Sequence, residues 1–273
     1  LPYDKPNMDQ TEKATRFAAL HRSPEFLLLP NAWDAASARI FELAGFPAIA
    51  TTSAGIAFTL GYADGEKIPR DEMIGVVTRI VRTVAVPVSA DVESGYGDPV
   101  ATAKAVAAAG AIGMNLEDLA TGSADSLRDL KTQAAIIREI CGLNLPLVIN
   151  ARTDVFLANI GDPATQFDRA VERLNAYREA GAHCLFAPGV RDAEVIARLV
   201  REIKGPLNII ATAGSLNARE LQWLGVARVS VGSGPCRATL GLTRRIAEEL
   251  RDRGTYEAML EGQISYADVN RIF

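Results

Sequence analysis

Histidine and cysteine are scarce in this chain: His21 and His183, and Cys141, Cys184 and Cys236, among 273 residues. So few imidazoles and thiols exclude a His- or Cys-based zinc centre. Three widely spaced cysteines make no disulfide framework and fit a reducing cytoplasm, the expected location. Lysine occurs only at positions 5, 13, 67, 104, 131 and 204, and none of these closes a strand, which argues against a Schiff-base aldolase. Aromatic residues make up 6% of the chain and acidic residues outnumber basic ones 33 to 29, for a net charge of −4 and a pI of about 5.4. Nucleic-acid binding calls for clustered basic residues and stacking platforms, so no nucleic-acid partner is expected. The longest apolar stretches, such as Phe26–Pro30, are far short of the ~20 residues that span a bilayer. The polar opening, Leu1 to Gln10, has no basic segment followed by an apolar run, so neither a signal peptide nor a membrane partner is expected.

What is present is the balance of a globular protein, 48% hydrophobic and 23% charged. Short β-branched and apolar runs predict strands near Phe26–Leu29, Ala48–Thr52, Val86–Ala90, Gly113–Leu116, Leu147–Ala151, Cys184–Ala187, Asn208–Ala211 and Arg228–Val231. Amphipathic stretches between them predict helices over Ala35–Ala44, Asp71–Thr83, Pro99–Ala109, Pro163–Ala180, Ala193–Ile203 and Ala218–Leu224. Ala44-Gly45-Phe46, Ala109-Gly110-Ala111 and Ala180-Gly181-Ala182 each read as a helix stop, because Gly accepts the left-handed cap. Alternation of strand and helix implies a parallel sheet, and eight units over ~250 residues match a closed (β/α)8 barrel. An open doubly wound sheet would carry a Gly-rich first turn, whereas here the first strand runs into Asn31-Ala32-Trp33-Asp34. No linker or low-complexity segment divides the chain, so one domain is expected over 1–273, with a C-terminal helical extension over about 242–273.

In such a barrel the chemistry sits on the loops after the strands. Asp91 and Glu93 after the third strand and Glu117 after the fourth would converge on one mouth, and crowded carboxylates without His or Cys call for Mg²⁺ or Mn²⁺. Asp34, Asp98 and Asp192 read instead as helix caps. Arg152, after the fifth strand, suits a carboxylate or phosphoryl group, with Asp154 or Glu117 as its structural partner. Ser53 with the amides of Ala54 and Gly55 would form a small anion cradle. Ser94 and Ser233 have no histidine to activate them, and Trp33, His183 and Cys184 read as packing residues.

Taken together, Leu29-Pro-Asn-Ala-Trp-Asp-Ala-Ala-Ser-Ala-Arg39, Thr51-Thr-Ser-Ala-Gly55, Asp91-Val-Glu-Ser-Gly-Tyr-Gly97, Asn115-Leu-Glu-Asp118 and Asn150-Ala-Arg-Thr-Asp154 resemble the isocitrate lyase/phosphoenolpyruvate mutase superfamily. The likeness runs from about Leu27 to at least Gly241. It implies a barrel whose last helix is exchanged between subunits of a homo-oligomer, a dimer or tetramer. It implies Mg²⁺ held by Asp91, with Glu93 and Glu117 acting directly or through water. Ser53, Ala54, Gly55, Asp91 and Arg152 would contact substrate, and Asp64, Glu117 and Arg152 would serve catalysis. The substrate class is a small 2-oxo or 2-hydroxy carboxylate or a phosphonate, and the shared chemistry is formation of a pyruvate-type enolate. The loop Leu119-Ala-Thr-Gly-Ser-Ala-Asp-Ser-Leu-Arg128 departs from the pattern. It lacks the Lys-Arg-Cys-Gly-His of the isocitrate and methylisocitrate lyases and the Lys and Asn of the phosphonate mutases. The expected activity is Mg²⁺-dependent cleavage of a C–C bond beside a 2-oxo or 2-hydroxy acid, including decarboxylation of an oxaloacetate-like substrate. Asp125 is the suggested proton donor, and Gly122 to Asp125 the suggested lid. The alternatives are P–C chemistry of the phosphonopyruvate or phosphoenolpyruvate type, and a barrel that binds a 2-oxo acid without turning it over.

Overall fold

The computed structural model describes residues 8–22, 26–120 and 126–273. In chain order the elements are α1 (Gln10–Leu20), β1 (Leu27–Leu29), β2 (Asn31–Ala32), α2 (Ala35–Leu43), β3 (Ile49–Thr51), α3 (Ser53–Thr59), α4 (Arg70–Thr83) and β4 (Val88–Asp91). They continue with α5 (Pro99–Ala108), β5 (Gly113–Glu117), α6 (Leu130–Gly142), β6 (Val148–Arg152), α7 (Pro163–Glu179), β7 (Cys184–Phe186) and α8 (Ala193–Glu202). The last are β8 (Leu207–Ile210), α9 (Ala218–Trp223), β9 (Arg228–Ser230), α10 (Gly234–Asp252), α11 (Glu257–Leu260) and α12 (Tyr266–Arg271).

All strand pairs are parallel, in the order β1-β9-β8-β7-β6-β5-β4-β3-β2. The two ends of that order are separated in sequence only by Pro30, so nine segments fill eight positions and the sheet closes into the expected (β/α)8 barrel. Asn31 seals the seam. Its Oδ1 accepts from the amides of Val231 at 2.8 Å and Gly232 at 2.9 Å, and its Nδ2 donates to the Thr51 carbonyl at 2.8 Å.

Side chains alternate between the two faces of each strand. One set, including Ala90, Met114, Leu116, Ile149, Leu185, Ile209 and Val229, joins the layer between sheet and helices. Leu27, Leu29, Ala48 and Ala50 instead pack with Phe17 of α1. That helix lies ahead of the first strand, outside the strand–helix alternation; Ala14 and Phe17 are buried, with Ala18 and Leu20 partly buried beside them. The three Ala-Gly stops hold: Gly45, Gly110 and Gly181 have φ of 92°, 86° and 112°. The expected caps also hold, with Asp34 accepting from Ser37 N, Asp98 from Ala101 N and Asp192 from Val195 N. At the other end of the chain, α10 buries only Cys236 and Glu249, and the Glu249 carboxylate accepts from Thr255 and from the amides of Glu257 and Ala258.

Candidate active site

The ends of β4, β5 and β6 bring Asp91, Glu117 and Arg152 together. Asp91 Oδ2 accepts from Ser53 N at 3.1 Å and Ser53 Oγ at 2.9 Å, while its Oδ1 accepts from Asn115 Nδ2 at 3.4 Å. Its own amide donates to Thr51 Oγ1 at 2.9 Å. The carboxylate is therefore aimed by neighbours on both sides, and among the described residues none of its hydrogen-bond partners is a cation.

Ser53, Ala54 and Gly55 form the first turn of α3 rather than a loop, with Thr52 as N-cap accepting from Gly55 N. The run of small residues that reads as a cradle also starts a buried helix, since Ser53, Ala54, Gly55, Ile56 and Ala57 are all inside.

Arg152 is held by both of its expected partners. Nε and Nη2 donate to Asp154 Oδ1 at 3.0 and 2.6 Å, and Nη1 lies 2.8 Å from Glu117 Oε2. Burial works against its charge, but Asp154, Glu117 and Asp91 outweigh burial and keep it protonated. Burial raises the pKa of Glu117 well above the carboxylate range, against the pull of Arg152, and Asp154 and Asp91 add to the rise. At the rim, Asp64 also has a raised pKa, from partial desolvation and then from the Asp91 carboxylate.

Glu93 sits differently. Its Oε1 accepts from Tyr96 OH at 2.8 Å and its Oε2 from Glu66 N at 2.7 Å. Glu66 in turn accepts from Ser94 Oγ at 2.8 Å and Tyr96 N at 2.7 Å. This ring ties the loop after α3 to the turn after β4. Glu66, Glu93 and Tyr96 all have left-handed backbones, φ 58°, 51° and 54°, a strained conformation for such residues. Burial pushes the Glu93 carboxyl up to about 7, partly offset by the Tyr96 hydroxyl and reinforced by Asp91 and Asp64. Among the described residues no three His, Cys, Asp or Glu side chains are arranged to chelate a metal by themselves. A divalent ion here would draw on few protein ligands, a pattern that suits Mg²⁺, which keeps several waters.

Behind the mouth, Asp118 is a buried hub. It accepts from Arg173 Nε and Tyr177 OH, each at 2.6 Å, and from Asp154 N at 3.0 Å, while its carbonyl takes Arg128 N at 2.7 Å. The base of the loop is thereby tied to the strand end that presents Arg152. Residues 121–125, with Asp125 and the suggested lid, lie outside the described residues.

Thr51, Glu66, Tyr96, Asn115, Asn150 and Asp118 were not assigned site roles from sequence. Asn115 and Glu117, like Asn150 and Arg152, are two apart on one strand, and that spacing was the available signal. His183 accepts from Ile149 N and Ser94 donates to Glu66, so no nucleophile–histidine pair forms between them.

A family model described as phosphoenolpyruvate phosphomutase matches residues 17–251. A solved structure from Burkholderia cenocepacia J2315, assigned as a lyase/mutase, is 39% identical with a TM-score of 0.88, and the match covers 96% of this chain and 95% of that one. The 2-methylisocitrate lyase of Halalkalibacterium halodurans is 27% identical over 268 residues, 92% of this chain and 86% of that protein. The oxaloacetate decarboxylase of Rhodopseudomonas palustris is 34% identical over 170 residues, 59% of this chain and 58% of that protein. With a complete parallel barrel, a carboxylate mouth and a match over most of its length, the chain belongs to the phosphoenolpyruvate phosphomutase family, within the isocitrate lyase/phosphoenolpyruvate mutase superfamily of C–C lyases and mutases.

Proposed function

We propose that the protein is a Mg²⁺-dependent lyase, with Mn²⁺ as an alternative ion, that cleaves a C–C bond beside a small 2-oxo or 2-hydroxy carboxylate. The observation that carries this reading is the meeting of Asp91, Glu117 and Arg152 at the ends of adjacent strands. Asp91 fits a divalent ion, since among the described residues its oxygens accept only neutral hydrogen bonds and retain lone pairs. Glu93, with both oxygens engaged by protein donors, and Glu117, paired with Arg152, would reach the ion through water. When bound, the ion supplies Lewis-acid stabilisation of developing negative charge. Arg152 would bind the substrate, and Ser53, Ala54 and Gly55 at the start of α3 would hold its carboxylate. Glu117 serves as the carboxylate partner of Arg152, and Asp64, its pKa raised by partial burial and then by Asp91, can hold a proton at the rim.

Asp91→Ala is expected to abolish Mg²⁺-dependent turnover across a panel of 2-oxo and 2-hydroxy acids. Full turnover in that variant would defeat the assignment. The match to the phosphomutase family favours P–C chemistry as the second reading. Phosphorus NMR of incubations with phosphonopyruvate or phosphoenolpyruvate separates the two, since only P–C chemistry produces a new phosphorus resonance.

The C-terminal helices bear on assembly. Leu240, Leu250, Met259, Leu260, Ile264 and Phe273 are exposed on or beside α10, α11 and α12. A homo-oligomer that covers this surface is part of the proposal, as is a reducing, cytoplasmic setting for the three free cysteines. No helix among the described residues is long and apolar enough to cross a membrane.

A further inference from the structure

Below the mouth lies a guanidinium that the proposed chemistry does not use. Arg228, the first residue of β9, is 0% exposed and is the largest of the fully buried side chains. Its Nη2 donates to Asn115 Oδ1 at 3.4 Å, while Nε and Nη1 have no hydrogen-bond partner among the described residues. Its Cζ lies 5.9 Å from the centre of the Phe17 ring. The other buried arginines differ: Arg173 holds the Asp118 carboxylate, and Arg152 holds two carboxylates. Burial brings the Arg228 pKa down to about 10, which reflects how poorly its charge is compensated. A buried charge in this condition costs stability.

The contact with Asn115 leads to the site. Asn115 Oδ1 accepts from Asn150 Nδ2 at 2.7 Å as well as from Arg228. With two donors on its oxygen, the amide must turn its Nδ2 towards Asp91 Oδ1, 3.4 Å away. The mouth gathers Asp64, Asp91, Glu93, Glu117 and Asp154 around the guanidinium of Arg152.

We propose that Arg228 is a positioning residue: through Asn115 it sets the orientation of the Asp91 carboxylate, at a cost in stability. The inference rests on the reading of Asp91 as the Mg²⁺ ligand.

Arg228→Met keeps the side chain's length and removes its charge. Replacing a poorly paired buried charge by an apolar group of similar size is neutral or stabilising, so in metal-free buffer the variant is expected to melt at or above the wild-type temperature. Calorimetric titration should nevertheless show Mg²⁺ affinity lower by roughly 10- to 100-fold, the usual effect of losing a residue that orients a ligand. Arg228→Lys is expected to recover part of that affinity. Asn115→Ala should reproduce the loss, and the double variant should lose no more than either single one, because the two residues act in series. A lower melting temperature with unchanged Mg²⁺ affinity would make Arg228 a packing residue and overturn the proposal, as would losses that simply add. Equal Mg²⁺ binding by the wild type and Asp91→Ala would defeat the metal assignment separately. Positioning is then read from a crystal structure of Arg228→Met: an Asp91 carboxylate that has left Ser53 supports it, and an unmoved one overturns it.

Discussion

His21 shows how burial sets the pH response of a single side chain. It is 4% exposed, its Nδ1 donates to the Phe17 carbonyl at 2.8 Å, and its Nε2 has no partner among the described residues. Burial first, and then the Arg228 charge, hold its pKa down to about 3. The unfolded chain takes up a proton near pH 6.5 and the folded one does not, so this contribution is complete above pH 6.5 and is lost as pH falls towards 3. Urea unfolding at a series of pH values should show stability falling by up to about 1.4 kcal/mol per pH unit from this one group, and His21→Leu should flatten that slope. An unchanged slope would mean that the ring is protonated in the fold. Gly55 shows a steric constraint of the same size scale. A Cβ there would sit 2.6 Å from Thr52 Cγ2 and 2.9 Å from Trp33 Cβ. Gly55→Ala must therefore displace the start of α3 and with it Ser53, and ligand-induced thermal stabilisation by 2-oxo acids is expected to be lost while the barrel still folds.

Among the elements, α1 does the most with the fewest residues. Phe17 is 0% exposed and packs with Leu27, Leu29, Ala48 and Ala50, edge-on to the His21 ring at 4.7 Å. Its ring lies beneath Arg228, so it supports the layer on which Asn115 and Asp91 stand. Phe17→Ala is expected to cost about 3–5 kcal/mol, as large-to-small changes of buried aromatics do, and denaturant unfolding measures it. The seam depends on one side chain of β2. Asn31→Leu keeps the volume but leaves the amides of Val231 and Gly232 without their acceptor, an expected loss of about 1–3 kcal/mol. Hydrogen exchange in that variant should rise at Val231 and Gly232 first. Helices with a broad apolar face, such as α8, were legible in sequence. The Phe17 helix was not, because Ala14 and Ala18 on either side of Phe17 give its buried face little apolar weight.

At the level of the whole molecule, apolar surface remains exposed where the C-terminal helices leave the barrel. If a second copy covers it, sedimentation should give a mass well above 29.2 kDa for the wild type, and Leu250→Asp with Leu260→Asp should shift it to that value. Monomeric wild type would remove the oligomer from the proposal. The amino-acid sequence alone determined the barrel, because most strand–helix pairs carry an apolar period or Gly or Asp punctuation of their own, and these are local. It also determined which residue types crowd the mouth, because strand ends are local features too. Only the tertiary structure decided that Glu93 is bound up with Tyr96 and Glu66, that Arg152 is shared between Asp154 and Glu117, and that Arg228 reaches Asn115 from across the barrel. Those partners come from segments far apart in the chain, and closure of the sheet is what brings them within hydrogen-bonding distance.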